Sequence, residues 1–459
     1  MFVLYGNDNI CCIIKSEAKK NGNKIKKYLG RGICMNTKDG LYQSYIQILK
    51  EELMPAMGCT EPIALAYAAA KAREVLGLLP QKMIAQVSSN IVKNVKSVVV
   101  PNTGGRKGIE TAIAAGVVAG VAEKKLEVIA SVTKEQQEAI AAYLDTHEIV
   151  VEAAASDLIF DIFLIAEAKG HIATVRIANF HTNIVLIEKD GEVLLEKEIT
   201  CLEKESALTD RSLLNVRDIV AFADCVQMED IEEMIGTQIS YNYAIAQEGM
   251  RGEYGANIGK VLLETYGNDV KVRARAMAAA GSDARMSGCE LPVIILSGSG
   301  NQGMAASVPV IVYAEEKGIS KDRLYRALVV SDLITIHQKT GIGRLSAFCG
   351  AVSAGCGSGC GIAYLLGGGE KEVAHTLVNA LAVVSGIICD GAKASCAAKI
   401  AAAVDAGILG YSMYCHGKQF RGGDGIVKKG VEATIANVGR LGREGMKETD
   451  KEIIKIMTE

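Results

Sequence analysis

The 459-residue chain has no tryptophan and only 6 prolines. It also lacks a charge surplus: 50 Lys and Arg against 53 Asp and Glu leave a net charge of -3. No segment is strongly basic, which argues against nucleic acid as a partner. A secretory leader is not expected, because the apolar run Ile10–Ile14 is short and is followed by Lys19, Lys20, Lys24, Lys26 and Lys27. Nor is a membrane span. The most apolar later stretch, 373–388, is interrupted by His375, Asn379 and Ser385 and reads as a buried helix. A cytoplasmic location is therefore expected. Neither the dinucleotide fingerprint nor the nucleoside triphosphate loop is present.

What the chain has is small residues and thiols: 48 glycines and 13 cysteines, with 49% hydrophobic residues overall. Small residues let helices and ligands approach the backbone closely. The expected fold is α+β, a mainly helical catalytic part carrying a small inserted α+β domain. Residues 1–34 show little periodicity and read as an N-terminal extension, disordered or preceding a natural start at Met35. Residues 35–125 read as the N-terminal helical part of the catalytic domain. Residues 126–203 read as the insert: a strand at 127–132, a helix at 134–144, and five strands between 148 and 198 turned at Gly170 and Asp190-Gly191. Residues 204–459 read as the C-terminal helical part, with glycine-rich loops at 282–303 and 337–361. The alanine-rich helices could pair in a homodimer or fill a monomer core.

Five cysteines, Cys349, Cys356, Cys360, Cys389 and Cys396, crowd into one segment. Their spacings match no short zinc or ferredoxin pattern. Without a secretory signal a disulfide framework is not expected, which leaves a thiolate metal site or packed free thiols. Residues seven apart on a straight helix are separated by about 10 Å. Cys389 is thus expected before a helix and Cys396 within it, with a turn at Gly391. Three such thiolates could hold a cubane cluster and leave one iron open as a Lewis acid. Cys59 lies just ahead of a helix that Thr60 could cap, a position that favours thiolate. It is a candidate base, an extra ligand or an ordinary thiol. In Leu296-Ser-Gly-Ser-Gly-Asn-Gln-Gly303, glycines beside a helix start suit a substrate carboxylate, with Ser299, Asn301 and Gln302 adding hydrogen bonds and Arg285 adding charge. His181 could reach the same cleft from the insert and help bind the substrate carboxylate. His337, Lys339 and Arg344 precede Cys349, and Lys339 could in principle carry pyridoxal phosphate.

At Gly58-Cys-Thr-Glu-Pro62, Pro101-Asn-Thr-Gly-Gly105, Ser282-Asp-Ala-Arg-Met-Ser-Gly-Cys-Glu-Leu-Pro292, Gly298-Ser-Gly-Asn-Gln-Gly303 and Cys389-Asp-Gly-Ala-Lys-Ala-Ser-Cys396 the chain resembles the L-cysteine desulfidase family, relatives of the iron–sulfur L-serine dehydratases. The resemblance runs from about residue 36 to near the C-terminus. It implies a [4Fe-4S] cluster on Cys349, Cys389 and Cys396, with Cys59 as the catalytic base. It implies conversion of L-cysteine to pyruvate, sulfide and ammonia, or of L-serine to pyruvate and ammonia. A sensor that binds cysteine or metal without turnover is the non-enzymatic alternative. No role is assigned to Cys289, Cys356 or Cys360.

Overall fold

The computed structural model describes residues 35–156, 158–199, 208–343 and 346–459. The N-terminal extension and Arg344 lie outside them. The architecture is α+β, with a helical body and a smaller mixed sheet.

The N-terminal part opens with helix α1 (Gly40–Glu52), strand β1 (Met54–Met57) and helix α2 (Thr60–Leu76). Strand β2 (Lys82–Val87) and helices α3 (Ser89–Val95) and α4 (Ile109–Ala119) follow. Next come α5 (Lys134–Thr146) and strands β3 (Glu148–Ala153), β4 (Asp161–Ala168), β5 (His171–Ala178), β6 (Ile184–Lys189) and β7 (Glu192–Glu196). The sheet order is β3-β2-β4-β5-β6-β7, parallel between β2 and β3 and antiparallel elsewhere. Two sequence expectations change here. Strand β2 comes from residues assigned to the helical part, so the sheet is not built from 126–203 alone. Its Met83, Ala85 and Val87 alternate into the core, a short period-2 signal between long helices. Residues 127–132 form no strand. The Ile129 carbonyl instead accepts a hydrogen bond of 2.9 Å from the Asn102 side chain.

The body contains α6 (Val216–Cys225), α7 (Met228–Arg251), α8 (Ile258–Tyr266), α9 (Val270–Met286), strand β8 (Pro292–Ile295), α10 (Gly300–Lys317) and α11 (Lys321–Ile342). It continues with α12 (Gly350–Leu365), α13 (Glu370–Val384), α14 (Cys396–Cys415), α15 (Val431–Arg440) and α16 (Lys447–Thr458). Helix α12 is the axis: Ala351–Leu365 is buried throughout, with α10, α11, α13 and α14 packed around it. The sequence reading placed a loop there because α12 carries five glycines, each costing about 1 kcal/mol relative to alanine in a helix. Packing overrides that preference. A Cβ at Gly355 would lie 2.4 Å from the Ala403 carbonyl carbon, and one at Gly359 would lie 2.5 Å from the Gly407 oxygen, so α12 and α14 touch backbone to backbone. Cys356 and Cys360 are wholly buried in the same helix, and the Cys360 thiol points at the Val373 carbonyl of α13. Both act as small apolar residues. The loop expected at 282–303 also shrinks, since α9 runs on to Met286 and α10 starts at Gly300.

Helix α14 is long and apolar enough to cross a membrane by composition alone. Its packing against α9, α12 and α13 makes it a core helix.

Gly359→Ala tests the α12–α14 contact by sign. Helix propensity predicts a gain of about 1 kcal/mol, whereas forcing the helices apart costs about 1–3 kcal/mol. A lowered urea midpoint is expected; a raised one would refute the close-packing account.

Candidate active site

Cys349 and Cys389 are brought together by a short ladder between two loops. Phe348 and Ile388 form an antiparallel bridge. The Cys349 N–H donates to the Ile387 carbonyl at 3.0 Å, and the Cys389 N–H donates to the Ala347 carbonyl at 2.6 Å. Cys349 is the N-cap of α12, and Cys396 is the first residue of α14. Between Cys389 and Cys396 the chain turns at Gly391, whose φ is +93° and whose Cβ position lies 2.2 Å from the Lys93 carbonyl oxygen. Only glycine fits there. The turn places all three thiols on one cavity wall.

Cations stand behind that wall. Lys93 is buried on α3 and pairs with Asp450 of α16. Lys399 pairs with Asp390 and donates to the Ile388 carbonyl at 2.9 Å. The hydrogen bond from Cys349 draws the Cys389 thiol down to about 6; burial opposes this, and Lys93 and Lys399 add to it. The same hydrogen bond, with burial, pushes Cys349 up, and burial raises Cys396. Among the described residues no three His, Cys, Asp or Glu side chains converge closely enough for a single metal ion. A polynuclear centre spaces its ligands more widely. An all-thiol donor set backed by lysines fits an iron–sulfur group and does not fit a hard oxygen-seeking ion.

Cys59 lines the same cavity. It is itself the N-cap of α2, which displaces the expected Thr60 cap; Thr60 donates instead to the Gly298 carbonyl at 3.0 Å. The helix N-terminus favours a thiolate, and the surroundings of the Cys59 thiol oppose one. Burial raises its pKa well above the usual value, and the Glu61 carboxylate adds to this against the lowering effect of Arg285. The Cys59 Sγ donates to Glu61 Oε2 at 3.2 Å. On the far side of that carboxylate, His181 Nε2 lies 4.0 Å from Oε1. Burial alone would raise the Glu61 carboxyl, but His181 and the thiol hold it at about 2. His181 sits between β5 and β6 with its ring edge-on to Phe160 at 4.8 Å.

The third wall is the start of α10. Ser297 and Gly298, both at positive φ (48° and 79°), make a tight turn closed by reciprocal 3.1 Å hydrogen bonds between Leu296 and Ser299. That turn delivers Ser299, Asn301 and Gln302 to the cavity. First-turn N–H groups of a helix have no intrahelical acceptor. Arg285, only 2% exposed, lies against Gly300, whose Cβ position is 2.5 Å from its Nε. Among the described residues its Nε and Nη2 have no hydrogen-bond partner, nor do Asn301 Oδ1, Gln302 Oε1 and His181 Nε2. A buried guanidinium without an anion is costly, so this wall suits an anionic ligand.

All nine residues singled out from the sequence thus line one cavity, as does Lys339. His337 does not; it bonds Glu432 at 2.6 Å. Cys289 lies beside Tyr254, away from the cavity. Sequence reasoning missed Glu61, Lys93, Asn94 and Ser297. Glu61 was visible inside its motif, while Lys93 carries no local signal.

Residues 123–455 match the family model described as serine dehydratase alpha chain. The chain belongs to that family. The matched region holds the three clustered cysteines, His181, Arg285 and the α10 turn, and it leaves out Cys59 and Glu61. Relatives extend the similarity across both. A UPF0597 protein of Desulfitobacterium hafniense is 64% identical over 92% of this chain and 98% of its own length. Those of Lachnoclostridium phytofermentans and Treponema denticola are 51% and 46% identical, each over 91% of this chain and over 100% and 98% of their own lengths. Membership supports enzymatic activity of the lyase kind.

Two measurements follow from this geometry. The folded Glu61 carboxyl, at about 2, lies below its ordinary 4.5. Its stabilising contribution is therefore complete above about pH 4.5 and is lost as the pH falls toward 2. The stability gap between wild type and Glu61→Gln should close across that window, and a gap that stays constant would contradict the assignment. Arg285→Met removes an unpaired buried charge, so it should raise the thermal midpoint of the ligand-free protein.

Proposed function

We propose that the protein is an iron–sulfur-dependent lyase that eliminates the β-substituent of a small L-amino acid. The reaction is conversion of L-serine to pyruvate and ammonia. The observation that carries this reading is one cavity with three thiols on one wall, an unpartnered buried arginine on a second and a lone cysteine on a third. The serine dehydratase match favours a hydroxyl leaving group. The motifs shared with L-cysteine desulfidases keep L-cysteine, with loss of sulfide, as the second reading.

Cys349, Cys389 and Cys396 would hold a [4Fe-4S] cluster, which supplies a Lewis acid for the leaving group at the iron that no cysteine ligates. Arg285 binds the substrate carboxylate in a bidentate manner, aided by the first-turn N–H groups of α10. Asn301 Oδ1 and Gln302 Oε1 accept from the substrate ammonium group. Cys59, once it has given up its proton, takes the proton from Cα. The Cα–H electron pair becomes the Cα=Cβ bond as the Cβ–O bond breaks. The released enamine tautomerises to an imine, which water converts to pyruvate and ammonia.

Protein purified without oxygen should carry about four irons per chain and release pyruvate from L-serine, L-cysteine or both. Iron-loaded protein inert toward both substrates would reject the lyase and leave the sensor. Cys349→Ser, Cys389→Ser and Cys396→Ser should each lose iron. Cys59→Ser should keep it while turnover falls at least about 100-fold; iron loss there would make Cys59 a ligand. Arg285→Met should raise KM by at least about tenfold.

A further inference from the structure

The cavity leaves one chemical problem open. Cys59 is buried with its Sγ donating to a carboxylate, and a sulfur that keeps its proton cannot take another from carbon. We propose that Glu61 and His181 form a relay that holds the Cys59 proton during turnover, with the inserted sheet supplying its outer member. This rests on the lyase reading and extends it, because it moves His181 from substrate binding to positioning.

The contacts run in one line. Cys59 Sγ donates to Glu61 Oε2 at 3.2 Å. Thr60 Oγ1 donates to the same oxygen at 3.1 Å and to the Gly298 carbonyl at 3.0 Å. Its hydroxyl has one proton, shared between the carboxylate and the substrate-binding turn. Glu61 Oε1 is left facing His181 Nε2 at 4.0 Å, a buried nitrogen without a hydrogen-bond partner among the described residues. The gap is within ion-pair range and longer than a hydrogen bond. Phe160 braces the ring edge-on. Arg285 is the other charge acting on Cys59 and stabilises its thiolate.

The proton balance closes without any added reagent. The S–H bond of Cys59 breaks and its proton passes to Glu61, leaving a thiolate. The thiolate sulfur then bonds the Cα proton while Cβ–O breaks. The thiol is restored, and the proton parked on Glu61 is the one that the departing hydroxide requires to leave as water. His181 opposes the charge of the Glu61 carboxylate whenever the proton has moved on. A helix N-terminus alone does not create the base here; the carboxylate two residues into α2 is the proton acceptor that makes Cys59 usable.

Glu61→Gln and His181→Gln separate this role from substrate binding and from cluster binding. In Glu61→Gln, kcat should fall at least 100-fold with KM within threefold. L-Serine deuterated at Cα should show a larger isotope effect on kcat than in wild type, because proton removal becomes rate-limiting. Iron content and the visible spectrum should match wild type. His181→Gln should show the same split to a smaller degree. A raised KM with unchanged kcat, an unchanged isotope effect or a loss of iron would each overturn the relay. A second arm needs no turnover. Iodoacetamide alkylation of Cys59 at fixed pH, read by peptide mass, should be slower in Glu61→Gln, which has no carboxylate to take the thiol proton. Equal or faster alkylation in the variant would overturn the proposal even if the wild type proved inactive on both amino acids. Failure of the lyase reading alone would show as an inactive wild type with the alkylation difference intact.

Discussion

Four helices aim their amino ends at a single cavity, and the site depends on that convergence. Helix α2 presents Cys59, α10 presents Ser299, Asn301 and Gln302, α12 presents Cys349, and α14 presents Cys396. Each terminus carries a partial positive charge and N–H groups that lack intrahelical acceptors. Arg285, Lys93 and Lys399 add full charges behind the walls. A pocket built this way is suited to concentrated negative charge: thiolates, a carboxylate and a departing anion. The convergence depends in turn on the close contact of α12 with α14, because a wider spacing would separate Cys349 from Cys396.

Among the described residues that line the cavity, Glu61 is the one carboxylate. A carboxylate among positive dipoles would be expected to be inert, and its low pKa agrees with that in the resting state. Its neighbour is a thiol whose proton costs more to remove than usual. Together they are a pair in which the proton rests on sulfur and the negative charge on oxygen, with His181 balancing the oxygen. The helix end in the sequence favours charge on the sulfur and leaves an ordinary thiol open; the carboxylate folded back against that thiol shows only in the structure.

Much of the site was legible in the chain because its parts lie in contiguous motifs. A run such as Cys389-Asp-Gly-Ala-Lys-Ala-Ser-Cys396 contains its ligands, its turn and two of its lysine and acid neighbours. The need for a turn between those cysteines followed from helix geometry alone, and Gly391 supplies it. Other features were hidden for definite reasons. Helix α12 looked like a loop because local propensity penalises glycine, whereas the benefit of glycine there comes from a partner some fifty residues away. Strand β2 escaped because six residues of alternation are weak beside the long alanine-rich helix before them. Lys93 was invisible because its partners, Asp450 and the Gly391 turn, are hundreds of residues distant.

Strand β2 has one more consequence. It enters the sheet between β3 and β4, yet the chain reaches it directly from α2, whose first turn carries Cys59 and Glu61. The sheet is therefore stitched into the helical body by an interior seam and does not hang from it by a linker. Removing residues 126–203 as a module would strip β2 of both its neighbours, β3 and β4, and loosen the helix before it. The fold behaves like a clasp: the loop carrying His181 and the helix carrying Cys59 are two sides of one closure, so their spacing is held by hydrogen-bonded backbone and not by the docking of separable domains.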